Sequence, residues 1–334
     1  LTFKILAAIS LFVSIPTGTP AAEPVAGRTE AVSAFIHEMA KKHGFDQAEL
    51  ERAFSRAEFQ DKILELMERS AEPKPWEEYR ATFINRAKID RGERFWSQNR
   101  NALALARERY GVPEEIVAAV LGIETNYGRN TGRFKVLEAL STLAFGYPRR
   151  ARLFRTELEH YLLLSREESL PLTTSRGSYA GAMGIAQFMP GSYRRYAIDF
   201  DGDGKRDLFS NAADAIGSVA NYLTAHGWQR GAPVAAPALV AKGATQPFET
   251  SKLSTRYRLA DLRELGITLD GAHPLDLKAI PLTLQNRKGP EYWLGFENFY
   301  VITRYNQSIY YAMAVHQLSV ALREARDRGA DEAP

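Results

Sequence analysis

Apolar residues recur at helical spacing through the first third of the chain. In "AVSAFIHEMAKKHGF" and "FQDKILELMERS" the repeat predicts amphipathic helices between about Thr29 and Arg109, broken by "AEPKPWEEYR" around Pro73 and Pro75. From Pro113 to about His226 the helical period continues, interrupted by glycine-rich turns such as "GSYAGAMGIAQFMPGSY". After Gly227 the texture changes to short apolar or alternating runs, "APVAAPALVAKG", "LKAIPLTLQ", "EYWLGF" and "NFYVITRY", set between Gly, Pro and Asn; these predict a small antiparallel sheet. The closing "SIYYAMAVHQLSVALREARDRG" returns to helix, with basic residues ahead of Gly329 where they suit the negative end of the helix dipole.

The expected organisation is a leader over 1–22, a helical domain over 23–109, a core over 110–228 holding most of the chemically suggestive residues, a small β domain over 229–302, and a terminal helix over 303–334 that packs back on the helical part. The leader reading rests on Lys4, the apolar run from Ile5 to Ile15 and the small Ala21 and Ala22, the pattern of an exported chain. The run is shorter than the roughly 20 residues a membrane-spanning helix needs.

Composition narrows the classes. At 334 residues and 45% hydrophobic the chain can bury a sizeable core. Its 43 Lys plus Arg against 40 Asp plus Glu leave no polybasic field for nucleic acid. Absence of cysteine rules out thiol catalysis, disulfides, Cys-ligated zinc and a lipid-bearing cysteine, so the chain is expected to be soluble once its leader is cleaved; a monomer is expected. No H-E-x-x-H, P-loop or G-x-S-x-G pattern occurs.

One carboxylate stands out in "LGIETNYG". Pro113, Glu114 and Glu115 make a good first helical turn, and Leu121, Val120 and Val117 lie three, four and seven residues before Glu124. The acid therefore projects from an apolar stripe near the end of a helix that should stop near Gly128. Desolvation and the dipole both raise its pKa, which suits a general acid. A loop-capping hydrogen bond, or a pairing with an arginine such as Arg129, is the plainer alternative.

A second cluster lies in "DFDGDGKRDLF". Asp199, Asp201 and Asp203 alternate ahead of Gly204, like the first half of an EF-hand loop, and the Lys205 carbonyl falls at the seventh position. Ser210 stands where the twelfth-position Glu belongs, and a longer loop brings Asp214 forward as the closing ligand. Calcium is the expected ion, because three close carboxylates would otherwise repel. Ser178 and Gln187 offer hydrogen bonds between the two clusters, while Arg149, Arg150, Tyr222 and Tyr305 are aromatic and cationic groups suited to sugars and carboxylates.

In order and spacing, "ETNYG", "GSYAGAMGIAQFMP", "DFDGDGKRDLF", "DAIGSVANYLTAHGW" and "TRYNQSIYYAMAV" resemble the membrane-bound lytic murein transglycosylase B family over nearly the whole chain after the leader. The resemblance implies a mainly α, α+β architecture: a lysozyme-like helical catalytic core with a calcium loop, an N-terminal helical domain and a small antiparallel β domain. It implies a periplasmic enzyme that cleaves the bond between N-acetylmuramic acid and N-acetylglucosamine in peptidoglycan without water, leaving 1,6-anhydro ends. Glu124 matches the catalytic acid, Ser178, Gln187, Tyr222 and Tyr305 the saccharide groove, Arg149 and Arg150 its cations, and Asp199, Asp201, Asp203, the Lys205 carbonyl and Asp214 the calcium loop. Glycan strands are the expected partner, with cell-wall synthesis or remodelling proteins alongside and no organic cofactor. A hydrolytic muramidase and a non-catalytic, calcium-dependent peptidoglycan binder are the competing readings.

Overall fold

Helices carry most of the described residues, as the spacing predicts, and the five-stranded sheet falls where the period shortens after Gly227. The computed structural model describes residues 25–68, 74–250 and 252–331; the leader-like residues 1–22 lie outside them. The described residues divide into two units, each drawn from separated stretches.

One unit takes 25–68 and 128–218. Its Val136–Gly146 helix, "VLEALSTLAFG", is buried on every side and packs against Ala151–Glu167, Asp61–Glu68 and Val25–His43. A helix this rich in apolar residues sits in a core, and its buried Glu138 is paired with Lys135. Phe35, Met39, Ile63, Phe154 and Tyr161 surround it, each almost fully buried. A two-stranded antiparallel ladder, β1 (Phe134–Lys135) against β2 (Arg176–Gly177), lies at its N-terminal end.

The glycine-rich stretch between β2 and the Pro190–Tyr196 helix is a compact turn, not the packed helix pair its small residues allow. Two antiparallel bridges, Gly177 with Met183 and Met183 with Phe188, fold it back on itself. Left-handed backbone at Gly181, Gly184 and Gln187 breaks any helix there.

The other unit takes 74–127 and 219–331. The Glu114–Thr125 helix is its axis, buried from Ile116 through Thr125, against Arg86–Gln98, Arg100–Tyr110 and Ile309–Asp331. The same unit carries a five-stranded antiparallel sheet of β3 (Ala235–Val240), β4 (Tyr257–Arg258), β5 (Ile267–Leu269), β6 (Lys278–Asn286) and β7 (Gly289–Gly295), ordered β4-β6-β7-β3-β5. Pro281 sits in β6 without loss, since β4 pairs only with Lys278 and Ala279 and leaves the missing donor unneeded. Phe248, Leu259, Leu262, Ile267, Leu294 and Phe296 form the small core under the sheet.

One expected strand is a helix. "NFYVITRY" lies within Glu297–Tyr305, because its apolar residues are buried on opposing sides against the sheet and the last helix. A short run of apolar residues fits either element, and packing decides.

Candidate active site

The Glu114–Thr125 helix delivers Glu124 into a buried, aromatic environment within its own unit. Glu124 is only 6% exposed. The helix ends sooner than Gly128: Asn126 caps it in the left-handed conformation, Tyr127 stays left-handed, and their amides bond back to Gly122 and Leu121. Arg91 holds the Asn126 side chain at 3.0 Å, which offsets the strain of a non-glycine residue there.

Tyr127 then runs back along the helix it terminates. A Cβ at Gly122 would lie 2.6 Å from the Tyr127 ring, and one at Gly92 would lie 2.4 Å from its hydroxyl. Two glycines on neighbouring helices thus form the slot for this ring and fix the turn that follows Glu124.

Burial and two neighbouring groups set the charge on Glu124. Burial pushes its carboxyl up to about 7; the Tyr311 hydroxyl, donating to Oε1 at 2.5 Å, and the Lys88 ammonium draw it down. No second carboxylate stands among the groups that shift it. Lys88 is itself buried, donates to the Gly122 carbonyl at 2.8 Å, and is lowered to about 8 by desolvation and Arg91, against the pull of Glu124. Tyr311 keeps its proton, because burial and the adjacent Glu124 raise it well above the ordinary phenol.

Tyr305 and Tyr222 extend the same cluster. The Tyr305 ring lies nearly parallel to Tyr311 at 6.4 Å and edge-on to Tyr222 at 4.8 Å. Tyr222 stacks on His226 at 4.1 Å, and its hydroxyl donates to the Arg304 carbonyl at 2.6 Å, fixing the segment that carries Tyr305. The structure therefore gathers Glu124, Tyr222 and Tyr305 in one unit.

Ser178, Gln187, Arg149 and Arg150 belong to the other unit. The Ser178 hydroxyl accepts from the Ala182 amide at 3.0 Å, and the Gln187 amide donates to the Thr131 and Gly184 carbonyls at 3.0 and 2.9 Å. Arg149 and Arg150 sit on the short turn Pro148–Arg150, exposed and half-buried respectively.

In that unit Asp199, Asp201 and Asp203 turn carboxylate oxygens to within 4.8 Å of one another. Amides of Gly202, Asp203 and Gly204 bond to Asp199 and pre-orient it, and the left-handed Gly202 and Gly204 make the tight bend. Asp214 lies outside this trio. It is fully buried, and its two oxygens accept the Phe200 and Asp207 amides at 2.7 Å each, bracing the loop.

The sequence does not single out Lys88, Tyr311 or Tyr79, the last a phenol that desolvation and the nearby Glu124 charge hold above its ordinary value. Lys88 had a signal: it shares the buried face of its helix with Gly92, Phe95 and Trp96, a lysine on an apolar stripe. Tyr311 and Tyr79 carry none, being two tyrosines in aromatic-rich segments.

Comparison with known proteins places this geometry in a family. The model of the transglycosylase SLT domain matches residues 27–320. Membrane-bound lytic murein transglycosylase B of Escherichia coli (strain K12) is 44% identical over 302 residues, covering 87% of this chain and 82% of that one. The Escherichia coli lytic transglycosylase Slt35 in complex with calcium superposes with a TM-score of 0.83 at 43% identity, covering 88% of this chain and 93% of that one. SltB3 of Pseudomonas aeruginosa in complex with NAG-anhNAM-pentapeptide gives a TM-score of 0.79 at 31% identity, covering 89% and 80%.

Proposed function

The chain belongs to the transglycosylase SLT domain family, and we propose that Glu124 alone serves it as acid and then as base. The protein is a peptidoglycan lytic transglycosylase, and the family's reaction cleaves the glycan without water to leave anhydro-N-acetylmuramic acid ends. Ordinary glycosidases need two carboxylates, because a water or an enzyme nucleophile must be handled on the far face of the sugar. Here the substrate supplies the nucleophile.

The observation that supports the reading is a buried carboxyl, held near neutrality at about 7, with no second carboxylate among the described groups that shift it. In its protonated form Glu124 donates to the oxygen between N-acetylmuramic acid and N-acetylglucosamine as the anomeric carbon gains oxocarbenium character. The muramoyl N-acetyl group assists from below. The resulting carboxylate, stabilised by the Tyr311 hydroxyl and by Lys88, accepts the proton of the muramoyl C6 hydroxyl, whose oxygen closes onto C1. One carboxyl completes the cycle, and it ends protonated as it began.

Tyr222, Tyr305, Ser178, Gln187, Arg149 and Arg150 are proposed as saccharide contacts on their match to the family motifs. The chain is proposed to work in the periplasm, which its leader-like residues and its polymer substrate support; among the described residues no helix is long and apolar enough to cross a membrane.

The Asp199, Asp201 and Asp203 trio fits calcium: three hard oxygen donors converge on a bend open to solvent at Gly202 and Gly204. The Lys205 carbonyl extends the proposed set; Asp214, whose two oxygens accept the Phe200 and Asp207 amides, is proposed as the closing ligand on its match to the family motif alone. The ion would neutralise the clustered charge and hold the loop between the Pro190–Tyr196 and Ala212–Ala225 helices.

Mass spectrometry of soluble products from purified peptidoglycan, run beside Glu124→Gln, tests the assignment. Anhydro-muropeptides released by the parent and absent with the variant are expected. Reducing-end products would mean water as nucleophile and a second catalytic group.

A further inference from the structure

A recess of about 280 Å³ in the unit of residues 25–68 and 128–218 is lined by Glu58, Gln60, Arg133, Phe134, Lys135, Glu138 and Arg176, and no step of the proposed chemistry uses it. Its floor is closed electrostatically. Glu138, 4% exposed, takes Lys135 Nζ on one oxygen at 2.7 Å and Gln60 Nε2 on the other at 3.0 Å. A carboxylate with both oxygens occupied and a cation beside it neither demands a ligand nor strongly repels an anion.

The mouth is different. Arg133, the residue before β1, and Arg176, the first residue of β2, are both exposed, and the Arg176 guanidinium donates to the Arg133 carbonyl at 2.6 Å. The Arg133 guanidinium lies over the Phe134 ring, 5.6 Å from its centre. Neither arginine has a carboxylate partner among the described residues, and neither does the exposed Glu58 have a cation. Two forked cations and one acid are left over, the complement of a ligand with two carboxylates and one ammonium.

Peptidoglycan carries such a group. The muramoyl residue bears a peptide stem, which in the SltB3 complex is a pentapeptide, and stems offer free carboxylates with an ammonium where a diamino acid is present. Strand β2 also leads straight to Ser178, which lies two residues beyond Arg176, roughly 7 Å of extended chain. A stem leaving a sugar held at Ser178 is within reach.

We infer that this recess is a stem-peptide site, with Arg133 and Arg176 taking the carboxylates and Glu58 the ammonium. The inference rests on the transglycosylase reading and adds a selectivity for glycan that still carries stems.

The test compares the full chain with Arg133→Ala/Arg176→Ala on peptidoglycan bearing stems and on glycan strands stripped of stems by an amidase. With stems, the variant is expected to lose about tenfold in kcat/KM, the equivalent of ~1.4 kcal/mol, mostly through KM. On stripped strands it should match the parent. No loss with stems, or an equal loss on both substrates, overturns the inference. Release of no anhydro product by the parent from either substrate would sink the transglycosylase reading instead. The site is then read without turnover, by calorimetry of a free stem tripeptide ending in diaminopimelate on the Glu124→Gln protein. Binding that disappears with the double substitution supports it, and no binding to Glu124→Gln overturns it. Glu58→Gln should weaken the peptide with a free amine and spare its N-acetylated form; equal weakening of both would remove Glu58 from the site.

Discussion

The Tyr311 hydroxyl donates to Glu124 Oε1 across 2.5 Å, joining two buried side chains 187 residues apart in sequence. The bond orients the acid, and it favours the ionised form that burial disfavours. It moderates the pKa of a group that has to give up a proton and then take one back.

Tyr311→Phe should therefore move Glu124 upward. With a charge-assisted hydrogen bond removed, the alkaline limb of the pH profile for kcat/KM is expected to shift up by roughly one unit, with kcat reduced by lost orientation. An unmoved limb would show that Tyr311 does not act on the acid.

For the parent, activity should fall as pH rises through about 7, where Glu124 loses the proton it must donate. Stability follows the same sign. Below the unfolded value of 4.5 both states are protonated; above it the unfolded chain releases the proton while the folded chain retains it, so folding loses stability as pH rises toward about 7. The interval converts to on the order of 3 kcal/mol. Glu124→Gln, inactive, should thus melt higher than the parent at pH 8 and close to it at pH 4, which paired melting curves would check.

Calcium should raise the melting temperature and a chelator lower it. At a free concentration a hundred times the dissociation constant, the gain is about 2.7 kcal/mol. Asp203→Asn can still accept the Lys205 amide but removes one charge from the trio. The variant is expected to be at least as stable as the parent in chelator and to gain less from calcium. Equal gains in both proteins would move the ion elsewhere.

Gly122→Ala should destabilise, although alanine is the better helix former by about 1 kcal/mol. The new Cβ would lie 2.6 Å from the Tyr127 ring, so the ring must leave its slot; overpacking of this kind costs about 1–3 kcal/mol. Thermal unfolding of Gly122→Ala beside Gly122→Ala/Tyr127→Leu checks the cause, since the smaller side chain should recover part of the loss.

The chain's local patterns were enough for the helices, the region of the sheet, the Asp199 to Asp203 turn and the singular position of Glu124. Each depends on torsions and side-chain directions that a few neighbouring residues set. "NFYVITRY" was not legible in this way, because a short apolar run buried on both sides suits a strand or a helix alike, and only its neighbours choose.

What the tertiary structure decided is which distant residues share one desolvated space. Lys88 reaches Gly122 across 34 residues, and Tyr222 reaches Arg304 across 82. Each of the two units is discontinuous in the chain. Sequence put a carboxyl on an apolar stripe; packing removed its water and supplied Tyr311 and Lys88, and so brought its pKa to about 7. Burial and charge act through space, and spacing along a chain does not contain them.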